Sequence, residues 1–205
     1  MNPGATAERV YETLKRRILT REFRPGGRLD PATLATSLVS SVTPIRDALN
    51  RLTGEGLVET QSRGGFYLPA IDEPALCDLY DWSAELLLLS IRSWPATAQP
   101  HLEPMAIAPD HTIADRVGDL FAMLAKCSSN GEHLMEVIRL NARMHALRIV
   151  EPFVIEGIEG ELSKLAEITA NDGRDALRHA ITVYHRKRRR VAAEIVRTAY
   201  RCVLS

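Results

Sequence analysis

The chain has 205 residues, 45% of them hydrophobic and 25% charged, and carries no net charge. That composition leaves room for one small domain and one larger one with its own core. The longest apolar run, Leu86 to Leu89 with Ile91 nearby, falls far short of the roughly 20 residues of a membrane span, and the N-terminus has no signal-like apolar segment. Cys77, Cys127 and Cys202 follow no paired metal or redox spacing, so a reducing cytoplasmic setting without membrane contact is expected. Charge is unevenly spread. Residues 1–71 hold 10 Lys+Arg against 7 Asp+Glu, and residues 72–205 hold 16 against 19, which makes the halves +3 and −3.

In chain order, residues 6–21 place Val10, Leu14, Ile18 and Leu19 at helical spacing, and the helix should end before Phe23-Arg24-Pro25-Gly26-Gly27. Asp30-Pro31 joins a cap to a first-turn proline and opens a second helix, with Leu34, Ala35 and Leu38 inward, ending near Val39-Ser40. The third helix takes Thr43 as cap and Pro44 as first residue, turns Ile45, Ala48, Leu49 and Leu52 inward, and closes at Gly54 or Gly56. Arg46, Asn50 and Arg51 are left to point elsewhere. Leu57-Val58-Glu59-Thr60 and Phe66-Tyr67-Leu68-Pro69 are strand-like runs joined by Gln61-Ser62-Arg63-Gly64-Gly65, a hairpin wing. Residues 1–71 thus read as a winged helix-turn-helix.

The ordered set Arg24-Pro25-Gly26-Gly27-Arg28-Leu29, Ser41 through Leu49, Glu55-Gly56-Leu57-Val58 and Arg63-Gly64-Gly65-Phe66 strongly resembles the GntR family of bacterial transcription regulators over residues 8–70. The resemblance implies binding to double-stranded DNA. Ser41, Thr43, Arg46 and Asn50 would lie at base edges and phosphates, Arg63 would reach from the wing, and Arg28 or Arg51 would add backbone contacts. Two positions depart from the family pattern. Val42 stands where an arginine usually precedes Thr-Pro, removing a contact to a phosphate or, in bidentate fashion, to a guanine edge, the latter worth roughly 1–3 kcal/mol of discrimination. Val39 replaces the turn glycine, so the turn must find another geometry or accept strain.

From Asp72 onward helix follows helix, at about 72–94, 112–129, 131–150, 152–170 and 173–203, with the proline-rich interval Pro95–Asp110 as a loop. Ile113, Val117, Leu120, Phe121 and Leu124 form one apolar stripe, and Leu134, Val137, Ile138 and Ile149 contribute another. The fold class is therefore mainly α, a three-helix head with a β-hairpin wing followed by an all-α helical bundle over 72–205. Trp82 and Trp94 suit packing between elements better than ligand stacking. Arg186-Lys187-Arg188-Arg189-Arg190 wraps all sides of a helix and reads as a solvated turn within a last helix that runs through.

Leu76-Cys77-Asp78-Leu79-Tyr80-Asp81 and Asn141-Ala142-Arg143-Met144-His145 resemble blocks of FCD, the FadR C-terminal domain that senses ligands in one GntR branch. That resemblance implies a metal site at Asn141, His145 and His179 beside a small carboxylate effector. The set is incomplete, because its third histidine would fall at Ala199, so a divalent ion such as zinc is possible and not required. Asn141 and His145 lie one turn apart, on the face of Leu134 and Ile138, and should aim into the bundle. Arg148 (or Arg143) and Tyr184 join them and His179 as candidate effector-lining groups. The primary expectation is a homodimeric regulator that binds a pseudo-palindromic operator and responds to an organic acid. A winged-helix module with degenerate DNA readout is the alternative, and a metal-dependent enzyme is a third reading with no nucleophile or base constellation to support it.

Overall fold

The computed structural model describes residues 3–62, 64–98, 111–171 and 173–201, with side chains from Ala7 onward. The chain divides into two compact units, one running up to Ile71 and taking in the stretch from Ala199, the other Asp72–Thr198. It is mainly helical, with one small antiparallel sheet.

In the first unit, α1 (Pro3–Leu19) packs on α3 (Val42–Gly54), and α2 (Pro31–Ser37) packs on α3 as well. Val10, Tyr11, Leu14 and Ile18 of α1 face Ile45, Ala48, Leu49 and Leu52 of α3, all buried. Asp30 caps α2 by accepting from the Thr33 amide at 2.9 Å, as its Asp-Pro opening requires. At α3 the start differs from expectation. Its cap is Ser41, whose side chain makes no capping bond, so Val42 and Thr43 lie inside the first turn ahead of Pro44. Proline fits there because first-turn amides have no intrahelical partner.

The wing is a sheet of β1 (Arg28–Leu29), β3 (Phe66–Tyr67) and β2 (Glu59–Thr60), in that order and antiparallel. Arg28 pairs with Tyr67 and Leu29 with Phe66, while Glu59 and Thr60 pair with the other edge of β3. β1 was too short for a periodic signal and adds a third strand to the expected hairpin. Gly64 and Gly65 take φ of 79° and 93°, which is why glycines occupy that turn.

All three head helices end the same way. The amide pairs Arg21 to Ile18 and Glu22 to Arg17, Val39 to Thr36 and Ser40 to Ala35, and Gly56 to Thr53 and Leu57 to Leu52 are Schellman closures. Each needs a left-handed residue. Arg21, Val39 and Gly56 supply φ of 66°, 48° and 74°, and only the last is free of a Cβ. The turn at Val39 has therefore kept its geometry and accepted strain.

The second unit is a bundle of α4 (Glu73–Arg92), α5 (Ile113–Lys126), α6 (Gly131–Arg148), α7 (Ile158–Asn171) and α8 (Arg174–Arg190), with a 3-10 turn at Glu151–Phe153. α4 contacts α5, α6 and α8, α5 contacts α6, and α7 packs on α8. The α5 stripe is buried as expected and starts from a capping box between Thr112 and Asp115. The buried face of α6 is instead His133, Val137, Leu140, Met144, Leu147 and Arg148, leaving Ile138 exposed. The expected face was about one residue, or 100°, out. Gly157, at φ of 70°, delays α7 to Ile158 rather than 152. The last helix does not run through, because Val191 leaves helical geometry and α9 (Ala192–Arg201) starts anew. The interval 99–110 lies outside the described residues.

Relieving the strain at Val39 should stabilise the head. Val39→Gly is expected to raise its stability by about 1 kcal/mol, read as slower hydrogen exchange of α3 amides. Unchanged or faster exchange would show that the turn is not strained.

Candidate functional site

The exposed face of α3 carries Ser41, Val42, Thr43, Arg46, Asp47 and Asn50, opposite its buried stripe. Val42, Arg46 and Asn50 follow one another at intervals of four, one above the next. Arg46 has no hydrogen-bond or ion-pair partner among the described residues, so its guanidinium is available to an outside anion. Arg28 is exposed on β1, its Nε 3.7 Å from where a Cβ on Gly65 would stand, which places it at the base of the wing. Arg63 lies outside the described residues.

Arg51 is engaged differently from expectation. Its guanidinium stacks 3.5 Å from the Tyr11 ring centroid and pairs with Glu8 at 3.0 Å. Tyr11 in turn donates to Glu55, which also pairs with Lys15 at 2.7 Å. Burial pushes the Glu55 carboxyl up, but hydrogen bonds from Lys15 and Tyr11 outweigh it and hold the group below its ordinary range. Arg51 is thus part of a polar clamp between α1 and α3 while its side chain remains half exposed.

The second unit encloses a polar cluster in its core. Arg188 of α8, fully buried, donates from Nε to Glu151 at 2.8 Å and ion-pairs with Glu161 at 3.0 Å. Tyr80 of α4 donates to the other Glu151 oxygen at 2.8 Å. Arg188 also lies 3.3 Å from the Tyr184 ring centroid. Its neighbours in the basic run are at the surface or half-buried, so the run is a solvated turn at every position but this one. Nothing in a five-residue charge block identifies the member that turns inward. Only the apolar spacing of Leu177, Ile181 and Tyr184 on the same face does.

Beside that ion pair, Phe121, Tyr184 and His185 pack ring against ring at 5.0 to 5.6 Å. Arg148 lies 5.1 Å from the Phe121 ring centroid and donates to Asn141 Oδ1 at 2.8 Å. It is 1% exposed and has no carboxylate partner among the described residues, and its Nε and the Tyr184 hydroxyl are buried without hydrogen bonds. The expected groups Asn141, Arg148 and Tyr184 are therefore brought together, and Phe121, which sequence reading placed only in the apolar stripe, links them. Ser83 and His185 complete the surround. The Ile181 carbonyl can only accept, so the His185 Nδ1 carries the proton at 2.8 Å and Nε2 accepts from Ser83 at 3.0 Å.

His145 and His179 are placed elsewhere. His145 pairs with Asp115 of α5 at 2.9 Å, on the half-buried flank of α6. Burial raises the Asp115 carboxyl, but hydrogen bonds from His145 and Thr112 bring it below its ordinary range. His179 is on the exposed face of α8. Among the described residues no group of three His, Cys, Asp or Glu side chains could hold a metal ion. Asn141 gives its amide hydrogen to the Gly118 carbonyl and its oxygen to Arg148. A guanidinium already occupies the position a cation would need, so the residues present do not fit zinc.

Residues 6–68 match the family described as bacterial regulatory proteins, gntR family. The helix-turn-helix and wing thus carry the GntR-family pattern. The chain is 43% identical over 70 residues to the Nta operon transcriptional regulator of Aminobacter aminovorans, covering 34% of this chain and 33% of that one. The HTH-type transcriptional regulator McbR of Escherichia coli is 27% identical over 154 residues, or 73% of this chain and 64% of its own. The chain spans between about a third and just under two thirds of the lengths of the curated relatives it matches. These relatives are transcriptional regulators, not enzymes. In fold, the chain is similar to E. coli McbR/YncC, with a TM-score of 0.62 at 16% identity over 92% of this chain and 97% of that one. It is also similar to a GntR regulator of Rhodococcus sp. RHA1, with a TM-score of 0.67 at 19% identity over 94% and 98%. No helix among the described residues is long and apolar enough to cross a membrane.

Burial, above all, lowers the His185 imidazole from 6.5 to about 3. Below pH 6.5 the unfolded chain protonates this residue while the folded chain does not, so acid favours unfolding throughout that window. Both tryptophans lie in the helical unit, and their fluorescence reports its unfolding alone. From pH 6.5 downward the unit should lose stability increasingly steeply, approaching about 1.4 kcal/mol per pH unit near pH 5 as the unfolded chain takes up this one proton fully. His185→Gln should flatten that slope; an equal slope in the variant would place the titration elsewhere.

Proposed function

We propose that the protein is a DNA-binding transcription regulator whose homodimer binds a pseudo-palindromic operator and is modulated by an organic acid held in the helical unit. The observation that carries the DNA reading is the exposed face of α3 within the GntR segment, with Arg46 unpaired at its centre. Arg46 would address a base edge, Ser41, Thr43 and Asn50 the neighbouring edges and phosphates, and Arg28 and Arg63 the backbone beside the wing. The alternative of degenerate readout rests on Val39, Val42 and the incomplete histidine set. α3 keeps its buried stripe and its exposed polar face with both valines present, which favours the DNA reading over it.

The effector reading is supported by Arg148. A buried guanidinium without a carboxylate is costly, and an organic acid would supply the missing charge. Its carboxylate would take the Arg148 Nε and the Tyr184 hydroxyl, both unpaired, against the Phe121 ring. No metal is needed for this contact. Cytoplasmic action follows from the DNA reading.

Arg46→Ala should abolish selective binding to fragments recovered from a genomic pool, costing about 1–3 kcal/mol at the operator while leaving the fold intact by circular dichroism. Retention of full selectivity would remove Arg46 from the reading face. In thermal-shift assays, a panel of small organic acids should include one that stabilises the tryptophan-bearing unit, by about 2.7 kcal/mol at a hundredfold excess over Kd. Chelator should not diminish the shift and Arg148→Gln should remove it; a shift lost with chelator would argue for a metal after all.

A further inference from the structure

Val39 is 89% exposed, more than any other large apolar side chain among the described residues, and its backbone is held at φ of 48°. A β-branched residue is poorly suited to left-handed geometry, and glycine would fill the same Schellman position without strain. The strained residue ends the turn just before α3, three residues ahead of Val42. Val42 is itself 39% exposed, in line with Arg46 and Asn50.

Two branched apolar side chains thus stand at the leading end of a helix whose exposed face is otherwise Ser41, Thr43, Arg46, Asp47 and Asn50. Backbone strain kept in a folded protein points to a site of use. Two side chains offer far too little area for a protein partner. The major groove, in contrast, offers one apolar group, the C5-methyl of thymine, and single aliphatic side chains match it. We propose that Val42, with Val39 at the turn before it, reads thymine methyl groups in each operator half-site, so that these valines set sequence preference rather than weaken it.

The inference rests on the DNA-binding reading above, and one experiment separates the two. Full-length protein selects duplexes from a random pool, and each thymine of the recovered site is replaced in turn by uracil, which keeps every hydrogen-bonding group and removes only the methyl. At one thymine per half-site the exchange should weaken binding about fourfold, and roughly fifteenfold when made in both, the worth of one buried methyl group each time. Val42→Ala should bind thymine and uracil duplexes nearly alike. Val39→Gly should keep the head folded, with slower exchange of its α3 amides, yet narrow the same difference.

If wild-type protein selects a site but is indifferent to every uracil exchange, or if both variants discriminate as the wild type does, the valines do not read thymine and the DNA reading stands. If wild-type protein selects no sequence at all, both readings fail together.

Discussion

The ion pair between Arg188 and Glu151 is closed off from water, and losing either partner would strand a charge in the core at about 3–5 kcal/mol. That penalty fixes the rotation of α8 about its own axis. Tyr184 and His185, one turn earlier, must then face Phe121, while His179 must face out. Tyr80 ties α4 to the same carboxylate, so helices far apart in sequence are set in register by a single acidic side chain on a 3-10 turn. The arrangement around Arg148 inherits its geometry from that lock.

Local signals made the head legible. Asp30-Pro31, the α3 stripe from Ile45 to Leu52 and the paired glycines of the wing each follow from nearest-neighbour stereochemistry, and each is where the sequence placed it. Thr43 was mistaken for the cap because Pro44 favours the first helical position but is tolerated throughout the first turn. Arg51 could not be resolved, since its destination depends on Glu8 and Tyr11 some forty residues away.

The helical unit was legible in its first four helices and in the α5 stripe, less in the last helix, which is two, and much less in rotation. On α6 the polar candidates sat among scattered apolar residues, and Met144 with Leu140 outweighed Leu134 and Ile138 in choosing the buried face. The break at Val191 has no glycine or proline to announce it. Arg148 and Arg188 are both buried arginines, a class that sequence patterns assign to the surface, and of the two Arg188 alone has a carboxylate partner among the described residues.

The clamp between α1 and α3 also bears on ionic strength. Composition assigns the head ten basic residues, yet Lys15 and Arg51 are neutralised by Glu55 and Glu8, and Arg17 by Glu22. Cations already matched within the protein displace few condensed counterions from a polyphosphate. A duplex bound by this head would thus be held by fewer ionic contacts than its basic residues suggest, and its affinity would decline gently as salt is added.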